Sequence, residues 1–166
     1  MTAKTGRTVN KHFKFQIDDV NGTLRDVPVS SIGGIGLAYD ETDLTAFQDA
    51  IKGVLLGHPD FSTTISGPWS TDAAVTASGS GAAAALSGSH TVLEPLNGGN
   101  TPLAFGFYFG VQHAWETGEY CFGITGTAAN GCLISSFTLN DDGTYTATIK
   151  MAAGSAAPDW DTNAFT

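Results

Sequence analysis

Positive charge is what this chain has least of. Seven Lys and Arg stand against sixteen Asp and Glu among 166 residues, for a formal net charge of −9. A protein that grips phosphates needs clustered cations, so this balance argues against a nucleic-acid clamp. It is compatible with a surface that DNA slides past, because a negative wall repels a polyanion. The few cations gather at the start (Lys4, Arg7, Lys11, Lys14), where a solvated arm over about residues 1–11 is expected. Cysteine is also scarce, with only Cys121 and Cys132. Their spacing fits two sides of a hairpin and allows a disulfide, but two small buried thiols in a reducing compartment are the favoured reading. No apolar run is long enough to span a bilayer, and no apolar core follows the first charges as a secretory signal would require.

Reactive constellations are missing as well. The sequence contains no HExxH, P-loop or GxSxG pattern. Gly34-Ile35-Gly36 lacks the third glycine of a dinucleotide site and reads as a turn. His12, His58, His90 and His113 are dispersed and do not stand at metal-ligand spacing from the cysteines. The acidic run Asp40, Glu41 and Asp43 falls on an expected strand and reads as a solvated face rather than a calcium loop. Asn21-Gly22-Thr23 matches a glycosylation sequon and reads here as a turn. Trp69, Trp115 and Trp160 are not spaced as a base-stacking platform, and few cations lie nearby. No catalytic, cofactor-binding or metal-binding residue is assigned, no enzyme activity is expected, and no membrane partner is expected.

Glycine is abundant at 21 residues, Ser and Thr are plentiful, and hydrophobic residues make up 42% of the chain. Short strands joined by glycine-containing turns use residues in this way, and the length suits one domain over 1–166. Alternation predicts a half-buried strand over His12 to Val20, with Phe13, Phe15 and Ile17 inward and Lys14, Gln16 and Asp18 outward. Asn21-Gly22 turns it into a partner over Leu24 to Ile32, where Pro28 suits an edge or a bulge. Strands are further predicted over Leu37 to Phe47, Phe61 to Trp69, Leu103 to Val111, Tyr120 to Thr127, Cys132 to Asn140 and Thr144 to Ala152. Asp142-Gly143 signals a type I′ turn before the last of these. In LAFGFYFGV the side opposite the phenylalanines carries small residues, which implies close backbone packing or a solvated side. Thr71 to Pro95 holds the one helix region, clearest at Ser89 to Leu96, with Ser87 or Ser89 as N-cap. The tail from about 153 to 166 carries Trp160 and Phe165 without a strand pattern. The expected fold is mainly β: an antiparallel β-sandwich or barrel with one flanking α-helix.

One stretch stands apart. Between Tyr39 and Trp69 the chain leaves a strand, keeps Phe47, Ile51, Val54, Leu55 and Leu56 in an expected loop or short helical turn, and returns on a strand. A connection this long and apolar suggests a surface for another subunit. With Trp160 and Phe165 of the tail, these residues are the candidate inter-subunit contacts.

Asp43-Leu44-Thr45-Ala46-Phe47, a loop, and then Phe61-Ser62-Thr63-Thr64-Ile65-Ser66-Gly67 resemble a segment of the major tail (tail tube) proteins of long-tailed bacteriophages. The helical His90 to Leu96, then LAFGFYFGV, then GCLISSFTLNDDGTYTATIKM with Ser136-Phe137, follow in the order of that family. The resemblance covers roughly Phe13 to Ala152 and rests on segment order and short motifs. The Ala/Gly/Ser stretch Ala77 to Gly88 and the arm at the start depart from it. It implies a tail-tube-like fold whose subunits form hexameric rings, stacked into a tube through which DNA is ejected without specific binding. The loop Asp43 to Asp60 would then contact the next ring. Implied partners are further copies of the chain and other tail proteins such as tape measure and terminator, and the implied location is the tail of a virion made in the host cytoplasm. Two alternatives stay open. One is another virion component of related fold, such as a head–tail joining, tail terminator or capsid decoration protein. The other is a soluble β-sandwich module for carbohydrate, using aromatics such as Trp115 or Tyr120.

Overall fold

A computed structural model describes residues 12–46, 51, 53–76, 86–111, 113–127 and 129–165. The arm at 1–11, Phe47, and most of the Ala/Gly/Ser stretch lie outside them. Eleven strands are present among the described residues: β1 (Phe13–Asp18), β2 (Leu24–Val27), β3 (Ser31–Ile32), β4 (Ala38–Asp43), β5 (Val54–Asp60), β6 (Ser62–Pro68), β7 (Phe105–Phe109), β8 (Cys121–Ile124), β9 (Cys132–Leu139), β10 (Thr144–Met151) and β11 (Asp159–Asp161). One helix, α1 (Ser89–Leu93), runs into a 3-10 turn at Glu94–Leu96. All strand pairings are antiparallel, in a five-stranded sheet β11-β8-β7-β1-β2, a four-stranded sheet β3-β6-β10-β9, and a two-stranded ribbon β4-β5.

The two larger sheets face each other across one core. Phe15, Ile17, Phe105, Phe107 and Phe122 come from the first, and Ile65, Ile134, Tyr145, Ala147 and Ile149 from the second. Phe61 knits them, with its ring 5.6 Å from Phe105 and 5.5 Å from Phe122. The strand periodicity places these side chains inward, and burying each large apolar one stabilises the fold by about 1.5–3 kcal/mol. Val92, Leu93 and Leu96 add the helical side of the same core. The helix touches β2 of one sheet, and its 3-10 extension touches β9 of the other.

Several expectations are corrected. The outward side of β1 is not solvated: Gln16 is buried and donates to the buried Asp26 at 2.8 Å, and Lys14 lies 3.4 Å from the same carboxylate. The reason is a second, smaller core on the outer face of the five-stranded sheet, where Trp115, Phe165, Tyr108 and Cys121 pack together. That layer also decides the small-residue side of β7. Gly106 lies beneath the Tyr108 ring, and a Cβ on Gly123 of β8 would collide with the Phe105 carbonyl oxygen, so close packing holds rather than solvent.

Pro28 ends β2, and the chain crosses to the other sheet before β3, so Leu24 to Ile32 is two edge strands rather than one. Asp141-Asp142-Gly143 forms a three-residue loop in place of a two-residue type I′ turn. Gly143 N donates to Asn140 O, Asn140 N donates to Thr144 O, and Gly143 takes φ 77°. The loop at Gly22, φ 70°, repeats this pattern between Asp19 and Thr23. Helix α1 is N-capped by Gly88 without a side-chain bond, because Ser87 and Ser89 are used elsewhere. The Ser89 hydroxyl donates to Pro68 O, and that of Ser87 to Val75 O. Cys121 and Cys132 are both buried free thiols, but they sit in different sheets rather than across a hairpin. Burial, with Asp161 close by, pushes the Cys121 thiol up to about 12. The tail beyond Ala153 is no loose end: β11 pairs with β8, and Phe165 is buried.

Candidate assembly interface

Among the described residues, Val54 to Asp60 form a strand paired with β4, a β-hairpin in place of the expected loop or helical turn. β4 pairs with β5 from Ala38↔Asp60 to Asp43↔Val54, with a register shift between Tyr39 and Glu41. Beyond it, Leu44 N donates to Gly53 O at 3.0 Å, and Gly53 N donates to the Thr45 hydroxyl at 3.0 Å. Val, Leu and Thr suit a pleated strand, and Gly57 opposite Asp40 accommodates the irregularity. Every residue of both strands is exposed, because no other sheet pairs with the ribbon among the described residues.

Ile51 is 82% exposed, Leu56 58%, Leu55 57% and Val54 48%. Leu55 stands opposite Thr42, and Leu56 opposite Glu41, so both faces of the ribbon carry apolar side chains. A lone two-stranded hairpin is marginal in water, and contiguous exposed apolar residues on it mark a contact site. Of the seven residues singled out from sequence, the hairpin brings Ile51, Val54, Leu55 and Leu56 together. Phe47 lies outside the described residues.

The two tail aromatics separate. Trp160 on β11 is half-exposed, with its ring 5.6 Å from Phe109 and 5.1 Å from Phe122. Phe165 is buried against Tyr108, whose hydroxyl accepts its backbone N–H at 3.1 Å. It is therefore a core residue that offers little surface to a neighbour, and its assignment as a contact is corrected. Trp115 is buried too, and its indole N–H donates to the Glu119 carbonyl at 3.1 Å. The Glu119 carboxylate accepts from the backbone N–H groups of Val111 and Glu116, which ties the covering loop into one unit.

A second apolar surface escaped the sequence reading. Trp69 leaves the end of β6, and its ring lies 5.6 Å from His90, which lies 6.1 Å from Phe137. Leu139 beside them is 53% exposed. Only the antiparallel pairing of β6, β10 and β9 brings these positions to one end of the sheet. The hairpin joins β6 at the other end, through the single buried residue Phe61. The root of the hairpin and Trp69 thus lie at opposite ends of β6, whose seven residues span about 23 Å.

The outer face of the four-stranded sheet is exposed or half-buried and rich in hydroxyls. Thr64, Thr148 and Ser136 form one cross-strand row, and Ser66, Thr146 and Thr138 form the next. Lys150 is the one charged side chain on this face among the described residues. Acidic residues lie elsewhere, among them Asp40, Glu41, Asp43 and Asp60 on the hairpin, Asp141 and Asp142 in a turn, and Asp159 and Asp161 on β11. Among the described residues, no group of three His, Cys, Asp or Glu side chains could hold a metal ion.

No family model matches the sequence, and no curated protein matches it. Solved structures do share its fold over nearly its whole length. A chain of the anti-feeding prophage baseplate, 6-fold symmetrised, superimposes with TM-score 0.58 at 9% identity, covering 95% of this chain and 97% of the other. A chain of the anti-feeding prophage tube terminating cap gives 0.57 at 9% identity, covering 98% and 95%. One of the sheath–tube complex of an extracellular contractile injection system in its extended state gives 0.55 at 8% identity, covering 94% and 92%. The chain therefore has a β-rich fold found in components of phage-tail-like particles. These neighbours come from contractile injection systems, whereas the sequence motifs resemble long-tailed phages.

Proposed function

We propose that this chain is a structural, non-catalytic subunit of a phage-tail-like tube, whose copies close into rings that stack head to tail. The observation that carries the reading is the likeness of nearly the whole chain to components of such particles. The hairpin supports the mode of assembly. Two unlike apolar surfaces, attached to the two ends of β6, favour a heterologous contact, which repeats as a stack instead of closing as a dimer. In this reading the hairpin residues Val54, Leu55 and Leu56 seat against the next ring. The hydroxyl-rich face of the four-stranded sheet lines the channel, so a polyanion meets a polar wall with few charges to hold it. Ring symmetry of six and passage of DNA follow the family resemblance.

A terminator is the second reading, favoured by the likeness to a tube terminating cap. A carbohydrate module loses one of its two named aromatics, since Trp115 is buried. Negative-stain electron microscopy of concentrated protein separates the three. Tubes with a central channel support the first reading, closed rings that never stack support the second, and a monomer that binds glycans overturns both.

A further inference from the structure

The two ends of the β6–β10 pair differ in kind. At one end Phe61 and Met151 open into a groove of about 450 Å³, walled also by Leu37, His58, Pro59 and the tail from Gly154 to Pro158. Leu37 precedes β4, and His58 and Pro59 lie near the end of β5. The groove therefore runs along the base of the hairpin and continues the surface assigned above to the next ring. Its lining is mostly apolar and holds no carboxylate; Asp60 and Asp159 adjoin it in sequence without lining it. Among the described residues, no hydrogen bond reaches the backbone carbonyl oxygens of 154–157. The groove thus joins apolar surface to free acceptors.

The opposite end carries a side chain that fits this description. The backbone N–H of Trp69 donates to Gly143 O at 3.1 Å, beside the start of β10. The register from Thr144↔Pro68 to Lys150↔Ser62 puts Trp69 at the far end of the pair from Phe61 and Met151. Its side chain is 37% exposed, and its indole N–H has no partner among the described residues. An indole couples a large apolar ring to a single donor, so its burial at a contact calls for an apolar pocket with an acceptor at the edge. Asp141 and Asp142 stand next to Gly143, so the acidic border of Trp69 would meet a lining free of carboxylates.

We propose that Trp69 of one copy inserts into the Phe61–Met151 groove of the next, with its indole N–H donating to a carbonyl of 154–157. The proposal rests on the head-to-tail reading and names its central contact. Its test uses two full-length variants at exposed positions, Trp69→Ala, which lacks the side chain, and Ala156→Trp, which fills the groove from its own wall. Circular dichroism should match the parent for both. By sedimentation velocity each variant alone should need about tenfold or more higher concentration than the parent to associate, as loss of a buried Trp anchor does. Mixed in equal amounts they should associate again, because one supplies the groove and the other the indole. A variant that associates like the parent, or a mixture no larger than its components, overturns the proposal and leaves the tube reading standing if the parent forms tubes. A mixture that recovers association while the parent forms no tubes on grids upholds this contact and overturns the tube. A parent that stays monomeric at every concentration overturns both.

Discussion

At the residue scale, charge placement is the informative quantity. Asp18 and Asp19 are adjacent, yet their carboxyls move in opposite directions. Burial raises Asp18 above its ordinary value, against a hydrogen bond from Ala104 N–H and with Asp19 adding repulsion. Burial acts upward on Asp19 too. There it is outweighed by the N–H of Thr23, the Arg25 guanidinium 2.6 Å away and the N–H of Asn21, so Asp19 titrates below its ordinary value. A carboxyl whose value is lower folded than unfolded contributes stability that is complete above about pH 4 and is lost as pH falls through the folded value. Asp19→Asn should therefore be less stable than the parent at pH 7. Urea titrations at stepped pH should show the difference shrinking below about pH 4. A constant difference down to pH 2 would mean the loss is steric and not electrostatic.

At the scale of elements, one hairpin and one tail were read differently by sequence and by structure. The apolar residues of 51–56 are visible in the sequence, and their exposure in the subunit is what the structure adds. Leu55→Lys with Leu56→Lys should leave the circular dichroism spectrum intact and change stability by less than about 0.5 kcal/mol, as exposed positions do. Stacking of rings should be abolished, seen as loss of tubes on grids. An unfolded double variant would show instead that the hairpin folds back on its own subunit. Phe165 is the opposite case. Phe165→Ala should cost about 3 kcal/mol, measured by urea denaturation, because it empties the small core around Tyr108 and Trp115. Periodicity could not place this residue: a buried side chain beyond a three-residue strand has no pattern around it.

At the scale of the molecule, the net charge of −9 makes each copy repel the next. Exposed carboxylates are carried by the hairpin, the Asp141-Asp142 turn and β11, among other places. Screening those charges should favour association. Sedimentation velocity between about 20 mM and 500 mM salt should show larger species as salt rises, since the screening length falls below about 5 Å at the upper end. Dissociation with salt would mean that complementary charges, and not apolar surfaces, hold the copies together.

The alternation of Phe13, Phe15 and Ile17, and of Tyr145, Ala147 and Ile149, settled the inward faces of the strands from sequence alone, because a period of two follows from the backbone itself. The β-rich class and the choice of residues 51–56 as an unusual apolar segment were legible too, while the helix expected within Thr71 to Pro95 is confined, among the described residues, to Ser89–Leu93 and its 3-10 turn. Tertiary structure decided what local pattern cannot encode. It made Gln16 and Asp26 buried partners, separated the two cysteines into different sheets, turned the supposed loop into a free hairpin, and placed Trp69 and Leu139 at the end of the sheet away from it. Each of these depends on which distant segment lies across a face, and a strand's own residues carry no record of that neighbour.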